Sequence, residues 1–287
     1  MPTPARRPGH RQRRFALIAQ LVAVVLAVGA AVSVIAEGPG GHPGAERLAA
    51  EEIRTPSPAA PPPLLAAPLR PSADPSPAAP PSPSPVLRLS GAVPTAGTGR
   101  FGYDDRAGPV LGRAGELRRY RVAVESGSGE DAAAFGEAVQ TALAGPGSWV
   151  DSGRLRLQQV PGGSPRDFTV YLATARTAGR MCADGGVDIR VGGRPYTSCR
   201  TPGRVIINLD RWRLSVPHYV QAGVPLSVYR TYVVNHEVGH QLGHRHERCP
   251  GSGRPAPVMM QQTLFLHGCR VNPWPYLDGR RYAGPPL

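Results

Sequence analysis

With 287 residues the chain can hold one or two domains, and a first third poor in core-forming residues leaves one folded domain of roughly 185 residues. The formal net charge of +13 comes from arginine alone, because the sequence contains no lysine. The arginines are scattered and no nucleic-acid-binding motif accompanies them. This pattern excludes nucleic acid as the expected partner and leaves either a compositional bias or attraction to anionic cell-wall polymers.

The first 36 residues have the charge pattern of a membrane signal anchor. Residues 1–14 form a basic tail, and residues 15–36 are apolar without a charge. As a helix, the apolar run would measure about 33 Å, which is enough to cross the hydrocarbon core of a bilayer. The basic tail is expected in the cytoplasm, with the remainder outside the cell membrane. The alternative is a signal peptide cleaved after residues 34–36, which would give a secreted protein.

A linker follows the predicted anchor. Residues 37–99 are rich in proline, alanine and serine. Such a composition lacks the apolar content of a core and favours a disordered or polyproline II spacer. The folded domain is therefore expected over residues 100–287.

Hydrophobic patterning predicts an α+β domain. Strands are predicted over residues 117–125, 155–160, 168–173 and 205–209, with a short edge strand near residues 187–191, and helices over residues 129–144 and 226–242. In the first helix, Phe135, Val139 and Leu143 are spaced for one buried face. The second helix begins after Pro225 and ends at Gly243. The rest is rich in proline and glycine and is expected to form an irregular lobe.

The four cysteines predict two disulfides. None of them forms a CxxC pair, and an even count is typical of an exported domain. Three pairings are open, of which the local pairs Cys182–Cys199 and Cys249–Cys269 are favoured. Each would close a loop of about 20 residues, worth roughly 3 kcal/mol in the chain-entropy treatment.

A candidate metal site lies at the end of the second predicted helix. His236 and His240 are four residues apart, so their side chains face the same side of a helix and can ligate one ion. Gly243 tolerates the positive φ of a sharp turn, which can bring His246 back as a third ligand. Glu237 can then reach a water on the metal as general base. Three protein ligands leave one position of a Zn²⁺ ion open, as in catalytic rather than structural sites.

The pattern HExxHxxGxxH formed by these residues resembles the metzincin clan of zinc endopeptidases. Together with the anchor and the Pro-rich linker, it also resembles an uncharacterised actinobacterial family of membrane-anchored metzincin-like proteins. The resemblance implies a twisted mixed β-sheet, an active-site helix and an irregular C-terminal lobe with a methionine turn. Met259 is the candidate for that methionine, and Glu247 after the third histidine is similar to the astacin branch.

Some positions depart from the clan's pattern or have a simpler interpretation. Gln261 stands where astacins have a tyrosine that approaches the zinc, and Tyr276 or Tyr282 could take that place. No cysteine switch is present. His244 is an alternative ligand or a neighbour of the site. Glu247 is more typical of a salt bridge than of catalysis.

These observations predict an extracellular, membrane-anchored endopeptidase with one Zn²⁺ ion and a protein or peptide substrate. The substrate is expected to extend along a sheet edge, at residues 187–191 or 205–209. Two alternatives remain open, a hydrolase of peptide cross-links in the cell wall and a non-catalytic, zinc-containing module that binds partners at the cell surface.

Overall fold

The computed structural model describes residues 84–287, which fold as an α+β unit around a mixed β-sheet. The predicted α+β class is therefore confirmed. The predicted cytoplasmic tail, the anchor and most of the linker lie outside the described residues. Within residues 84–287, no helix has both the length and the apolar character needed to cross a membrane.

The main sheet combines parallel and antiparallel pairs. Its strands are β1 (Phe101–Tyr103), β2 (Val110–Leu111), β3 (Glu116–Glu125), β4 (Leu155–Gln159), β5 (Phe168–Ala173), β8 (Cys199–Thr201) and β9 (Arg204–Asn208). They run in the order β2-β4-β3-β5-β9-β8, with β1 also paired to β3. The pairs β3–β4, β3–β5 and β5–β9 are parallel, and β1, β2 and β8 pair antiparallel with their neighbours. Two separate hairpins are β6 (Arg190–Val191) with β7 (Arg194–Pro195), and β10 (Tyr276–Leu277) with β11 (Arg280–Arg281).

Both predicted helices are present, and the sequence missed three others. The helices are α1 (Ala132–Ala144), α2 (Ala175–Asp184), α3 (Leu209–Leu214), α4 (Pro217–Gln221) and α5 (Leu226–Gln241). No element was predicted over most of α2, and only its last residues fall in the disulfide loop expected from Cys182 to Cys199. The apolar residues that α2 buries are the small Ala175, Ala178 and Cys182.

The sheet is covered on both faces. On one face, α1 and α5 pack against large apolar side chains of the central strands, among them Val122, Leu172 and Ile207. On the other face, α2 packs against Ile206 through Ala178 and Cys182. The predicted buried face of α1 is confirmed, because Phe135, Val139 and Leu143 are each at most 2% exposed. This packing fixes α5, the helix with the histidines, directly against the sheet.

The prediction that residues 187–191 or 205–209 form the sheet edge is wrong, because neither segment is an edge of the main sheet. Residues Arg190–Val191 pair with β7 in a separate hairpin, because Gly192 and Gly193 both have positive φ and form a tight turn between the two strands. Strand β9 lies between β5 and β8, so it has partners on both sides. The edge of the main sheet on this side is β8.

Contacts with the folded domain begin before Arg100, its predicted first residue. The backbone N–H of Leu226 donates to the carbonyl of Val86 at 2.8 Å, and that of Leu89 donates to Arg213 at 2.8 Å. The N–H of Gly99 donates to the buried carboxylate of Glu125 at 2.8 Å. Residues 86–99, assigned to the linker by their composition, therefore lie against the domain.

The two disulfides are the predicted local pairs. Cys182–Cys199 connects α2 to β8, and Cys249–Cys269 closes a loop in the C-terminal lobe. This lobe is irregular as predicted, with the hairpin β10–β11 as its regular structure among the described residues.

Candidate metal centre

Helix α5 carries the first two predicted ligands on its last turns. His236 and His240 both lie on this helix, which ends at Gln241. Gly243 follows with a φ of +94°, a conformation that glycine adopts without strain. The N–H of His244 then donates to the carbonyl of Gly239 at 2.9 Å, so the chain reverses over the helix end. This reversal places His246 beside the two helical histidines.

The three imidazoles converge on one point. One ring nitrogen from each of His236, His240 and His246 can be chosen so that all three lie within 4.8 Å of one another. The Nε2 atoms of His240 and His246 are 3.0 Å apart. Nitrogens bound to one tetrahedral zinc ion stand about 3.3 Å from each other, given Zn–N bonds of about 2.0–2.1 Å. One of the three separations is therefore close to that expected in a zinc site, and the other two, at most 4.8 Å, would shorten around a bound ion.

Backbone carbonyls orient two of the rings. Nδ1 of His236 lies 2.8 Å from the carbonyl oxygen of Val258, and Nδ1 of His240 lies 2.8 Å from that of His244. Because a carbonyl can only accept, both Nδ1 atoms carry the proton and both Nε2 atoms keep a free lone pair. Such carbonyl partners are typical of metal-ligating histidines.

Burial keeps the three histidines neutral. It lowers the pKa of His236 well below its ordinary value, lowers that of His240, and lowers that of His246 to about 4. At neutral pH all three are therefore uncharged imidazoles, the form that binds a metal. The donor set of three imidazole nitrogens suits zinc.

Glu237 lies in the same cleft as the histidines and is only 5% exposed. Burial raises the pKa of its carboxyl group to about 8. A carboxyl group with such a pKa can take up and release a proton near neutral pH, and a nearby cation would favour its ionised form. The position and environment of Glu237 are those of a general acid–base group.

A turn beneath the helix contacts the site through three successive carbonyls. The N–H of Met260 donates to Pro257 at 2.9 Å, which closes the turn. The carbonyl of Val258 lies against His236, that of Met259 accepts from the N–H of Glu247 at 3.1 Å, and that of Met260 accepts from the hydroxyl of Tyr232 at 3.0 Å. The Met259 side chain is fully buried under the helix. This turn therefore connects His236 with the segment that carries His246.

We expect the substitution Gly239→Ala to destabilise the domain by about 1–3 kcal/mol, the usual cost of overpacking. An alanine Cβ at this position would meet the sulfur of Met259 and lie 2.6 Å from Cζ2 of Trp149. Thermal unfolding of the zinc-free chain measures the effect. Gly163→Ala is the matched control, because its Cβ would meet nothing within 4 Å. Equal unfolding temperatures for the two variants would contradict the close packing of helix and turn.

Two further sequence candidates have other contacts. The ring of His244 stacks on Trp149 with centroids 4.3 Å apart, and this histidine is not part of the three-histidine cluster. His244 contributes to the site through its backbone carbonyl, which lies 2.8 Å from Nδ1 of His240. The carboxylate of Glu247 accepts from Arg281 at 2.7 Å and from the N–H of Gly284 at 3.2 Å. Glu247 thus forms a salt bridge that holds the segment after His246.

The tyrosine that lies beside the histidines is Tyr232, and not Tyr276 or Tyr282, the two candidates named from the sequence. Gln261 lines the cleft, but Tyr276 and Tyr282 do not, and the hydroxyl of Tyr282 donates to the carbonyl of Pro255 at 3.0 Å. Tyr232 lines the cleft instead, with its ring centroid 5.4 Å from that of His236. The sequence spacing predicts this position of Tyr232, because Tyr232 precedes His236 by four residues and so lies on the same face of the helix.

The cleft has a volume of about 480 Å³ and lies between the sheet edge and the C-terminal lobe. Cys199 and Arg200 of β8 line one side, and Gln261 and Leu264 line the other. Arg200 donates to the side chain of Gln241 at 2.9 Å, which ties β8 to the end of α5. Sequence patterns do not place Arg200 in the site, because its contact with Gln241 depends on the order of strands in the sheet.

Comparison with known proteins gives a family and no function. A family model described as "Protein of unknown function (DUF3152)" matches residues 87–272, which include the three histidines, Glu237 and Met259. No curated protein and no solved structure matches the chain.

Proposed function

The chain belongs to this family of unknown function, and we propose that its histidine cleft is the active centre of a zinc-dependent peptidase. The observation that carries the proposal is the convergence of three neutral imidazoles beside a buried carboxyl group. A structural zinc site would need a fourth protein ligand. Among the described residues, no fourth histidine, cysteine or carboxylate joins the cluster.

A zinc ion held by His236, His240 and His246 would supply Lewis-acid activation of a water molecule and of the scissile carbonyl. The carboxylate of Glu237 takes a proton from the attacking water and later delivers it to the leaving amine. A nearby cation would favour the ionised form of this buried carboxyl group, which is the form that the first transfer requires. The surrounding protein buries Glu237 and so limits competing exchange of this proton with solvent.

We assign the site to the metzincin type as part of the same proposal. Three features support this assignment. The first two ligands lie on one helix, the chain turns at Gly243 before the third, and Met259 lies buried under the helix in a tight turn. Gln261 replaces the tyrosine of astacins, so the proposed mechanism uses no tyrosine at that position.

The substrate is proposed to bind as an extended peptide beside β8. This strand is the edge of the main sheet, and its residues Cys199 and Arg200 line the cleft. An edge strand offers free backbone N–H and C=O groups to a peptide, which can pair with it as an added strand. Such pairing would lay the scissile bond along the cleft that contains the histidines.

The proposed location is outside the cell, attached to the membrane by residues 15–36. The two disulfides support export, because such bonds persist mainly in oxidising compartments. The proposed anchor belongs to the part of the chain that the structure does not describe.

The full-length chain, purified in detergent, should release fragments from a random peptide pool in the presence of zinc. A chelator should abolish this release and added zinc should restore it, because the metal supplies the activation of water and carbonyl. Mass spectrometry of the pool measures the products. Cell-wall fragments form a second substrate arm, and products from these alone would favour the cell-wall alternative. Zinc binding without products from either substrate would contradict hydrolysis and favour a binding module.

A further inference from the structure

A second pocket, of about 810 Å³, lies next to the metal cleft and has no part in the proposed chemistry. Its walls come from α2, from the hairpin β6–β7 and from the segment that joins them. We call it the arginine pocket, because Arg176, Arg180, Arg190 and Arg194 line it. The volume is within the range of ordinary ligand sites, about 300–1,000 Å³.

The charge of the arginine pocket is only partly compensated. Asp188 and Asp210 are its acidic residues. Asp188 forms two hydrogen bonds with Arg190, both at 2.9 Å, so this pair neutralises itself. Within residues 84–287, the side chains of Arg176, Arg180 and Arg194 have no ion-pair partner, and Arg180 donates to the hydroxyl of Thr177 at 3.2 Å. The guanidinium groups of Arg176 and Arg194 are therefore the two that are available to an anionic ligand.

The lining also provides apolar contact. Ala175, Ala183, Val187, Ile189 and Pro195 form walls between the arginines. A pocket lined by both apolar side chains and arginines suits a ligand that carries both apolar and anionic parts. A peptide segment with acidic side chains has this composition.

The arginine pocket and the metal cleft share one wall. Residues 187–189 line both cavities. This wall is held at both ends. The N–H of Val187 donates to the carbonyl of Cys182 at 2.9 Å, and the carbonyl of Ile189 accepts from the N–H groups of Tyr196 and Thr197 at 2.8 and 3.2 Å. The Cys182–Cys199 disulfide links the chain before this wall to the chain after it. One extended chain could therefore occupy both cavities across a preformed ridge.

We propose that the arginine pocket binds an acidic segment of the peptide substrate and thereby sets a preference for substrates with carboxylate side chains. The inference rests on the proposed function, because the ligand is the substrate of the metal cleft. Arg176 and Arg194 supply the positive charge, and the ridge at residues 187–189 carries the peptide from one cavity to the other. The positive charge of the chain as a whole adds only a weak, salt-screened attraction.

Peptide binding without turnover tests this proposal. The full-length Glu237→Gln chain, loaded with zinc, is titrated into a fluorescein-labelled peptide that contains glutamates, and into the same peptide with glutamine at each of those positions. We expect the glutamate peptide to bind about tenfold more tightly at low salt, as two partly exposed ion pairs allow. The double substitution Arg176→Ala and Arg194→Ala should reduce this ratio to within about twofold. Fluorescence anisotropy measures each Kd.

The matched control is the double substitution Arg113→Ala and Arg154→Ala, which removes the same two charges from exposed positions next to β2 and β4, at the opposite side of the sheet. It should preserve the tenfold ratio. Equal Kd values for the two peptides, or an unchanged ratio in the double variant, would overturn the proposal. If the glutamate peptide binds more tightly because of these arginines but the parent chain releases no fragments, only the proposed peptidase activity is overturned. Cleavage with equal Kd values would overturn only the arginine pocket.

Discussion

Replacing Glu237 by glutamine should abolish peptide hydrolysis while leaving the zinc content of the chain unchanged. The three histidines remain in place in this variant, but the amide cannot accept the proton of the attacking water. Loss of a general acid–base group typically lowers the rate by about 10²–10⁴-fold. Glutamine has nearly the same size and shape as glutamate, so this buried position should tolerate the substitution. Steady-state cleavage of the peptide pool and elemental analysis measure the two quantities.

The control for this experiment is Glu137→Gln, which removes a carboxylate that is 70% exposed on α1. It should cleave at the parent rate. Equal turnover of the Glu237→Gln variant and the parent would remove Glu237 from the mechanism. Loss of zinc from that variant would assign the carboxylate to metal binding instead.

The substitution His246→Ala should weaken zinc binding by at least about 100-fold, more than the loss of a group that only supports a ligand. His246 is the one ligand outside α5, so its removal leaves only the two helical imidazoles. Zinc at 100 times its Kd stabilises the parent by about 2.7 kcal/mol, which should raise its unfolding temperature by roughly 5–10 °C. The variant should show no such rise. Competition with a chromogenic chelator gives the Kd, and calorimetry gives the unfolding temperature.

His267→Asn is the matched control, because His267 is exposed and its φ of +47° is one that asparagine tolerates. This control should keep both the parent Kd and the rise in unfolding temperature. An unchanged Kd in the His246→Ala variant would exclude His246 as a ligand. The proposed site of three protein ligands and one open coordination position would then be wrong.

The strands with large apolar residues could be predicted from sequence because their pattern is local. The predicted limits 168–173 match β5, and the limits 226–242 differ from α5 by one residue. The three histidines follow from helix periodicity and one glycine, which are also local features. Helix α2 was missed because its buried residues are small.

The features that escaped prediction depend on contacts between distant parts of the chain. The assignment of β8 as the sheet edge requires the strand order, which the patterns of single strands do not contain. The contact of Trp149 with His244 and the salt bridge from Arg281 to Glu247 join residues far apart in sequence. The arginine pocket likewise arises only where α2 and the hairpin β6–β7 meet.

The Cys182–Cys199 disulfide has a practical consequence for producing this protein. It joins α2, which lines the arginine pocket, to β8, which borders the metal cleft. Recombinant material made in a thiol-reducing cytosol would lack this crosslink. We expect such a preparation to lose the proposed activity through a loosened ridge even when zinc is supplied, so an oxidising expression compartment is needed for a fair test of the proposal.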